Sequence, residues 1–152
     1  MIWRAGFRST ILALLAFTAA GAAFAEPDPA WSADEKAAAA ADEAFHAASL
    51  TRGGQAWKDF ADADVALPGA RGKDEVGALY GKVYAKPGFR LDWHPTFAKV
   101  TGDIAVTSGP YEKHVKSESG ADTRSTGTYV TVWQRQKDGG WRFVWDGGTE
   151  GH

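Results

Sequence analysis

Cysteine is absent from this chain of 152 residues. That removes disulfides, thiolate metal ligands and cysteine nucleophiles together. A basic cluster is missing as well. Seventeen Lys and Arg stand against 19 Asp and Glu, a formal charge of −2, which argues against nucleic acid as a partner. No Gly-x-Gly-x-x-Gly, Walker loop or Gly-x-Ser-x-Gly occurs, which leaves out phosphate cradles and the serine-hydrolase elbow. The four histidines show neither His-x-His nor His-x-x-x-His spacing, so no metal is expected, and nothing calls for an organic cofactor.

What the chain does have begins with a secretory leader. Arg4 and Arg8 precede the apolar run Ile11-Leu-Ala-Leu-Leu-Ala-Phe17, and Ala23-Phe-Ala25 offers the small-x-small pattern cut by signal peptidase. The run is too short and too alanine-rich for a comfortable membrane span. Residues 1–25 therefore read as a signal peptide, with a periplasmic or secreted destination and no membrane association after cleavage. Without Arg4 and Arg8 the 17 basic residues fall to 15 against 19 acidic ones. Residues 26–31, with Pro27 and Pro29, read as a flexible leader, and 32–150 as one domain with a core of its own.

Ser32 and Glu35 form a capping-box pattern ahead of an alanine-rich run, predicting a helix to about Leu50. Its apolar face is drawn by Ala37, Ala38, Ala41, Phe45 and Ala48. Residues 55–60 predict a short helix, Val65–Leu67 a short strand, and 71–84 a third helix weakened by Gly77 and Gly81. Four antiparallel strands follow, at 89–94, 104–115, 127–136 and 141–146. Residues 116–126 read as a long polar connection, and Asp138-Gly139 as a tight hairpin turn. The class is α+β, with helices on one face of the sheet. The last two strands carry apolar residues on both faces: Val130 and Val132 against Tyr129 and Trp133, and Trp141, Phe143 and Trp145 against Val144. Either a second subunit covers the far face, making a homodimer through the sheet, or the helices wrap more of it.

Several of these pieces, in order, resemble the NTF2-like superfamily, and within it the SnoaL-like, DUF4440-type domains. They are Phe45, Trp57 to Phe60 with Val65-Ala-Leu-Pro68, Arg71-Gly-Lys-Asp-Glu-Val76, Gly102-Asp-Ile-Ala105 leading into Thr107-Ser-Gly-Pro-Tyr111, Gly127-Thr-Tyr-Val-Thr-Val-Trp133, Asp138-Gly139 and Trp141-Arg-Phe-Val144. The resemblance covers roughly residues 33–148. It implies a cone in which a curved, mainly antiparallel sheet folds around N-terminal helices and encloses a cavity. It also implies dimerisation through the sheet in many members. Ketosteroid isomerases and polyketide cyclases of this kind are acid–base enzymes; other members have no assigned activity.

A cone supplies a pocket before any catalytic group is named. Trp57, Trp93 and Trp133 either line it or fill it, and Tyr80, Tyr111 and Asp146 complete the expected ligand-binding set. The glycines after Asp146 allow close approach of a ligand. For acid–base work the leading pair is His94 with Asp92, two residues apart on one side of a strand whose other side carries Phe89, Leu91 and Trp93. The sequence leaves open which side faces the cavity. Asp62, Asp64, Tyr80, Tyr84 and Asp146 have the residue types that a carboxylate–tyrosine mechanism uses. Three functions stand side by side: an exported protein binding a small apolar or amphipathic ligand, a cofactor-independent isomerase- or cyclase-like enzyme, and a homo-oligomeric interaction module.

Overall fold

The computed structural model describes residues 30–151. The signal-peptide reading and most of the leader lie outside the described residues, as does His152. The first helix, α1, runs Ala33–Arg52 and opens on the expected capping box. Ser32 N–H donates to Glu35 Oε2 at 2.8 Å, and Glu35 N–H donates to Ser32 Oγ at 3.2 Å. Its buried stripe is rotated from the predicted one. Ala38, Asp42, Phe45 and Ser49 are buried, whereas Ala37 is exposed. Two polar residues occupy core positions because both are hydrogen-bonded there, Asp42 to the sheet and Ser49 to the His46 carbonyl.

Helices α2 (Gly54–Phe60) and α3 (Gly72–Tyr84) flank a two-residue hairpin of β1 (Ala66–Leu67) and β2 (Ala70–Arg71). They meet through glycine backbones. A Cβ on Gly54 would fall 2.5 Å from the Gly77 carbonyl oxygen and into the backbone at Gly81. No larger residue fits at 54 without parting the helices.

The main sheet is antiparallel, in the order β3 (Arg90–Trp93), β5 (Ile104–Lys116), β6 (Asp122–Arg135), β7 (Trp141–Glu150), with β4 (Phe97–Thr101) also on β5. Strand β4 was not among the four predicted. It pairs with residues 104–108 of β5, and β3 pairs with residues 111–114, so two short strands divide one edge of β5. The predicted long connection is mostly strand. The β5–β6 ladder continues to Lys116↔Asp122, leaving a turn of residues 117–121. A hairpin's polar outer arms carry no hydrophobic alternation, which is why they read as loop.

The helices cover the concave face. Phe45 is the hub, with ring centroids at 4.9 Å from Trp57, 5.3 Å from Phe60, 5.2 Å from Trp93 and 5.2 Å from Phe143. Burying each such side chain stabilises the fold by about 1.5–3 kcal/mol. On the convex face Phe97, Ile104 and Trp145 are exposed at 50%, 39% and 40%, beside half-buried Val106, Val130 and Val132. Trp145 was expected to share a side with Trp141 and Phe143. It does not, because Val132 pairs with Trp145 and Trp133 with Phe143, leaving Val144 as the extra residue of a β-bulge.

Candidate functional site

The bulge sets the inward residues of β7. Past Val144 the alternation is reset, so Trp145 faces out and Asp146, in register with Thr131, faces in. Thr131 Oγ1 donates to Asp146 Oδ2 at 2.7 Å. Asp146 is half-buried in the wall of a cavity of about 250 Å³. Trp57 and Tyr80 close the helical side, and Leu91, Trp93, Tyr111 and Tyr129 the sheet side. Trp57 and Tyr80 stack, their rings 3.3 Å apart and 6° from parallel. Tyr111 lies against Gly127, where a Cβ would sit 2.7 Å from the ring; the missing side chain makes room for the tyrosine.

Burial pushes the Asp146 carboxyl up to about 7, with repulsion from Asp42 adding to the rise and the Thr131 hydrogen bond opposing it. Burial also raises the Tyr80 phenol, with the nearby Asp146 charge as a further cause, so Tyr80 stays a neutral donor. Among the described residues its hydroxyl has no hydrogen-bond partner. The Tyr129 hydroxyl is committed elsewhere, donating to Asp42 at 2.8 Å.

Asp42 is fully buried. Its carboxylate also accepts from Trp93 Nε1–H at 2.7 Å and from the Thr107 hydroxyl. Thr107 Oγ1 in turn accepts from Trp133 Nε1–H at 2.8 Å. Burial raises the Asp42 pKa against these three hydrogen bonds, which lower it. This helix carboxylate therefore fixes two cavity walls, Trp93 and Tyr129. Sequence reasoning missed it, although its position four residues after Ala38 and three before Phe45 placed an acid on the buried stripe.

Of the residues anticipated from sequence, the structure brings Trp57, Tyr80, Trp93, Tyr111 and Asp146 together around one cavity. Trp133 sits deeper, with none of its surface exposed, in the core beneath α1. On β3 the Trp93 side faces this cavity. Asp92 and His94 instead border a second, polar groove of about 760 Å³ with Glu43, His46 and Glu112. Asp92 is engaged by Arg90, at 2.5 and 2.8 Å, and by His46 at 3.4 Å. The Arg90 bonds hold its carboxyl below the usual range, and burial lowers the His46 imidazole. His114 pairs with Glu112 at 2.5 Å, while Asp62 accepts from Gln136 at 2.8 Å.

No family model matches this chain, and no curated protein matches its sequence. Solved structures match its fold. A ketosteroid isomerase-like protein from Erwinia carotovora atroseptica aligns with a TM-score of 0.69 at 19% identity, over 79% of this chain and 98% of that one. An NTF2-like superfamily protein from Salmonella enterica aligns with a TM-score of 0.64 at 15% identity, over 78% and 92%. An NTF2-like protein with a cystatin-like fold from Novosphingobium aromaticivorans gives 0.60 at 19% identity, over 76% and 80%. The likeness is one of fold: this chain has the NTF2-like cone, three helices on a curved antiparallel sheet.

Proposed function

We propose that the aromatic cavity binds a small, largely apolar carbonyl compound and that Asp146 moves a proton on it, without metal or organic cofactor. The observation that supports this is a carboxyl near neutrality in an apolar wall that also contains an unpaired phenol. At pH 7 such a group exists in both protonation states, as general acid–base work requires. Asp146 takes a proton from the carbon next to the carbonyl. Tyr80 O–H donates to the carbonyl oxygen as negative charge develops there. The protonated Asp146 returns the proton to the same carbon or to another carbon of the conjugated system. A cavity of about 250 Å³ lies just below the roughly 300–1,000 Å³ usual for ligand sites, which suits a skeleton of one or two rings.

The test follows α-hydrogen exchange of cyclic ketones and enones in D₂O by NMR, which reads proton abstraction without needing net turnover. Wild-type protein is expected to accelerate exchange, Asp146→Asn to abolish the acceleration, and Tyr80→Phe to reduce it at least tenfold, the loss of one charge-stabilising donor. Exchange at the uncatalysed rate with every ketone would overturn the proton-transfer reading. The cavity would then stand as a binding site, read by quenching of the tryptophan fluorescence to which Trp57 and Trp93 in its wall contribute.

A further inference from the structure

Lys113 lies on the same cavity wall as Asp146 but far from it in the sheet. It pairs with Leu91 on β3 and Ser125 on β6. Asp146 is in register with Thr131 and, through it, with Thr107 of β5. Six positions of β5 separate Thr107 from Lys113, at most about 20 Å of backbone. Lys113 is the only base among the lining residues and Asp146 the only acid. Between these ends the walls are aromatic and aliphatic. The cavity is therefore electrically polar along its length, with the carboxyl at one end and the ammonium at the other.

The ammonium is already holding a carboxylate. Glu150 accepts from Lys113 Nζ at 2.5 Å and from Ser125 Oγ at 3.3 Å, with the Glu150 side chain 60% exposed and that of Lys113 35%. An ion pair so open to water contributes little, so its anion is replaceable. A ligand carboxylate attached to a skeleton that also buries apolar surface has the stronger claim on the same ammonium.

Resting on the reading of the cavity as a ligand site, we infer that its ligand is an amphipathic monoanion. It has a one- or two-ring skeleton bearing a carboxylate that pairs with Lys113 in exchange for Glu150. A single lysine matches one negative charge; a phosphate dianion would be left half compensated. The Asp146 end repels an anion once that carboxyl is ionised, which fixes the orientation: rings toward Asp146 and Tyr80, carboxylate toward Lys113.

The test is calorimetric titration at low ionic strength with 3-phenylpropionate and its uncharged analogue 3-phenylpropanamide, against wild type, Lys113→Met and Glu150→Gln, each checked for native circular dichroism. Wild type is expected to bind the acid about tenfold tighter than the amide, the worth of one charge-assisted hydrogen bond. Lys113→Met should erase that preference. Glu150→Gln should strengthen the acid alone by several-fold, since it removes the competing anion. Equal binding of acid and amide by wild type, or a preference that survives in Lys113→Met, would overturn the inference while leaving the cavity reading intact. If neither compound binds any variant, the inference falls, and the ketone exchange experiment decides the cavity reading by itself.

Discussion

Thr131 holds the Asp146 carboxylate at 2.7 Å, although strict alternation from Phe143 would turn Asp146 to the opposite face. The unpaired Val144 makes the contact possible. One extra residue sends Trp145 outward and gives the cavity its acid, as bulges beside functional sites commonly do.

Asp146 should leave a signature in stability against pH. Its pKa is raised from 3.8 to about 7 on folding, so the folded state binds more protons than the unfolded state between those values. The stabilisation is fully present below the unfolded pKa and is lost as pH rises through about 7. Asp146→Asn does not ionise and should escape that loss. Urea melts from pH 4 to 8 should show the variant gaining on wild type by a few kcal/mol, since a tenfold change in proton affinity is worth about 1.36 kcal/mol. A difference independent of pH would place the Asp146 pKa in the ordinary carboxylate range.

Asp42→Ala strands buried donors on Trp93 and Tyr129. Each unsatisfied buried group costs about 1–3 kcal/mol, so a loss of about 3 kcal/mol or more is expected in a denaturant melt. Asp42→Asn keeps one acceptor and should lose less. A loss under about 1 kcal/mol for the alanine variant would mean that the donors find new partners.

The α2–α3 contact predicts opposite outcomes for two glycines. A Cβ on Gly81 meets nothing within 4 Å, whereas one on Gly54 strikes backbone. Gly81→Ala should raise stability by about 0.5–1 kcal/mol through helix propensity. Gly54→Ala should lower it by about 1–3 kcal/mol, as overpacking does. Thermal melts of the two variants decide the point, and the same sign for both would contradict the close approach.

The convex face is expected to seat a second copy. Phe97, Ile104 and Trp145 are exposed on it, and a contiguous apolar patch is unusual on a monomer. Sedimentation at micromolar concentration should give a dimer for wild type and a monomer for a Phe97→Ser, Trp145→Ser double variant. A monomeric wild type would remove the dimer.

The parts legible in the sequence were those with a local cause. The Ser32–Glu35 box set the start of α1, and the Asp138-Gly139 turn set the last hairpin. The apolar pattern on both faces of β6 and β7 announced an uncovered sheet face. Trp93 was visible because the strand that carries it alternates cleanly, and Trp57 and Tyr80 because they fall on the apolar sides of short helices. What escaped depends on partners distant in the chain. Asp42 becomes intelligible only when Trp93, Thr107 and Tyr129 arrive 51, 65 and 87 residues later. Asp146 was nominated by its glycine neighbours, but its direction depends on a bulge that no local pattern marks. His94 and Asp92 drew attention because their spacing is local, and Asp92 is occupied by Arg90 and His46.

Helix α3 carries Tyr80 and Val83 onto the cavity, yet Val76 is its only fully buried residue. It meets α2 through glycine backbone and through the stack of Tyr80 on Trp57. The cavity thus has a helical roof with one fully buried residue over a floor of long paired strands. Amide protons of α3 should exchange with solvent well before those of β5 and β6, since local opening follows the fewest buried contacts. A guest clasped between Tyr80 and the sheet would slow that exchange, and its residence time would be set by how often the roof lifts.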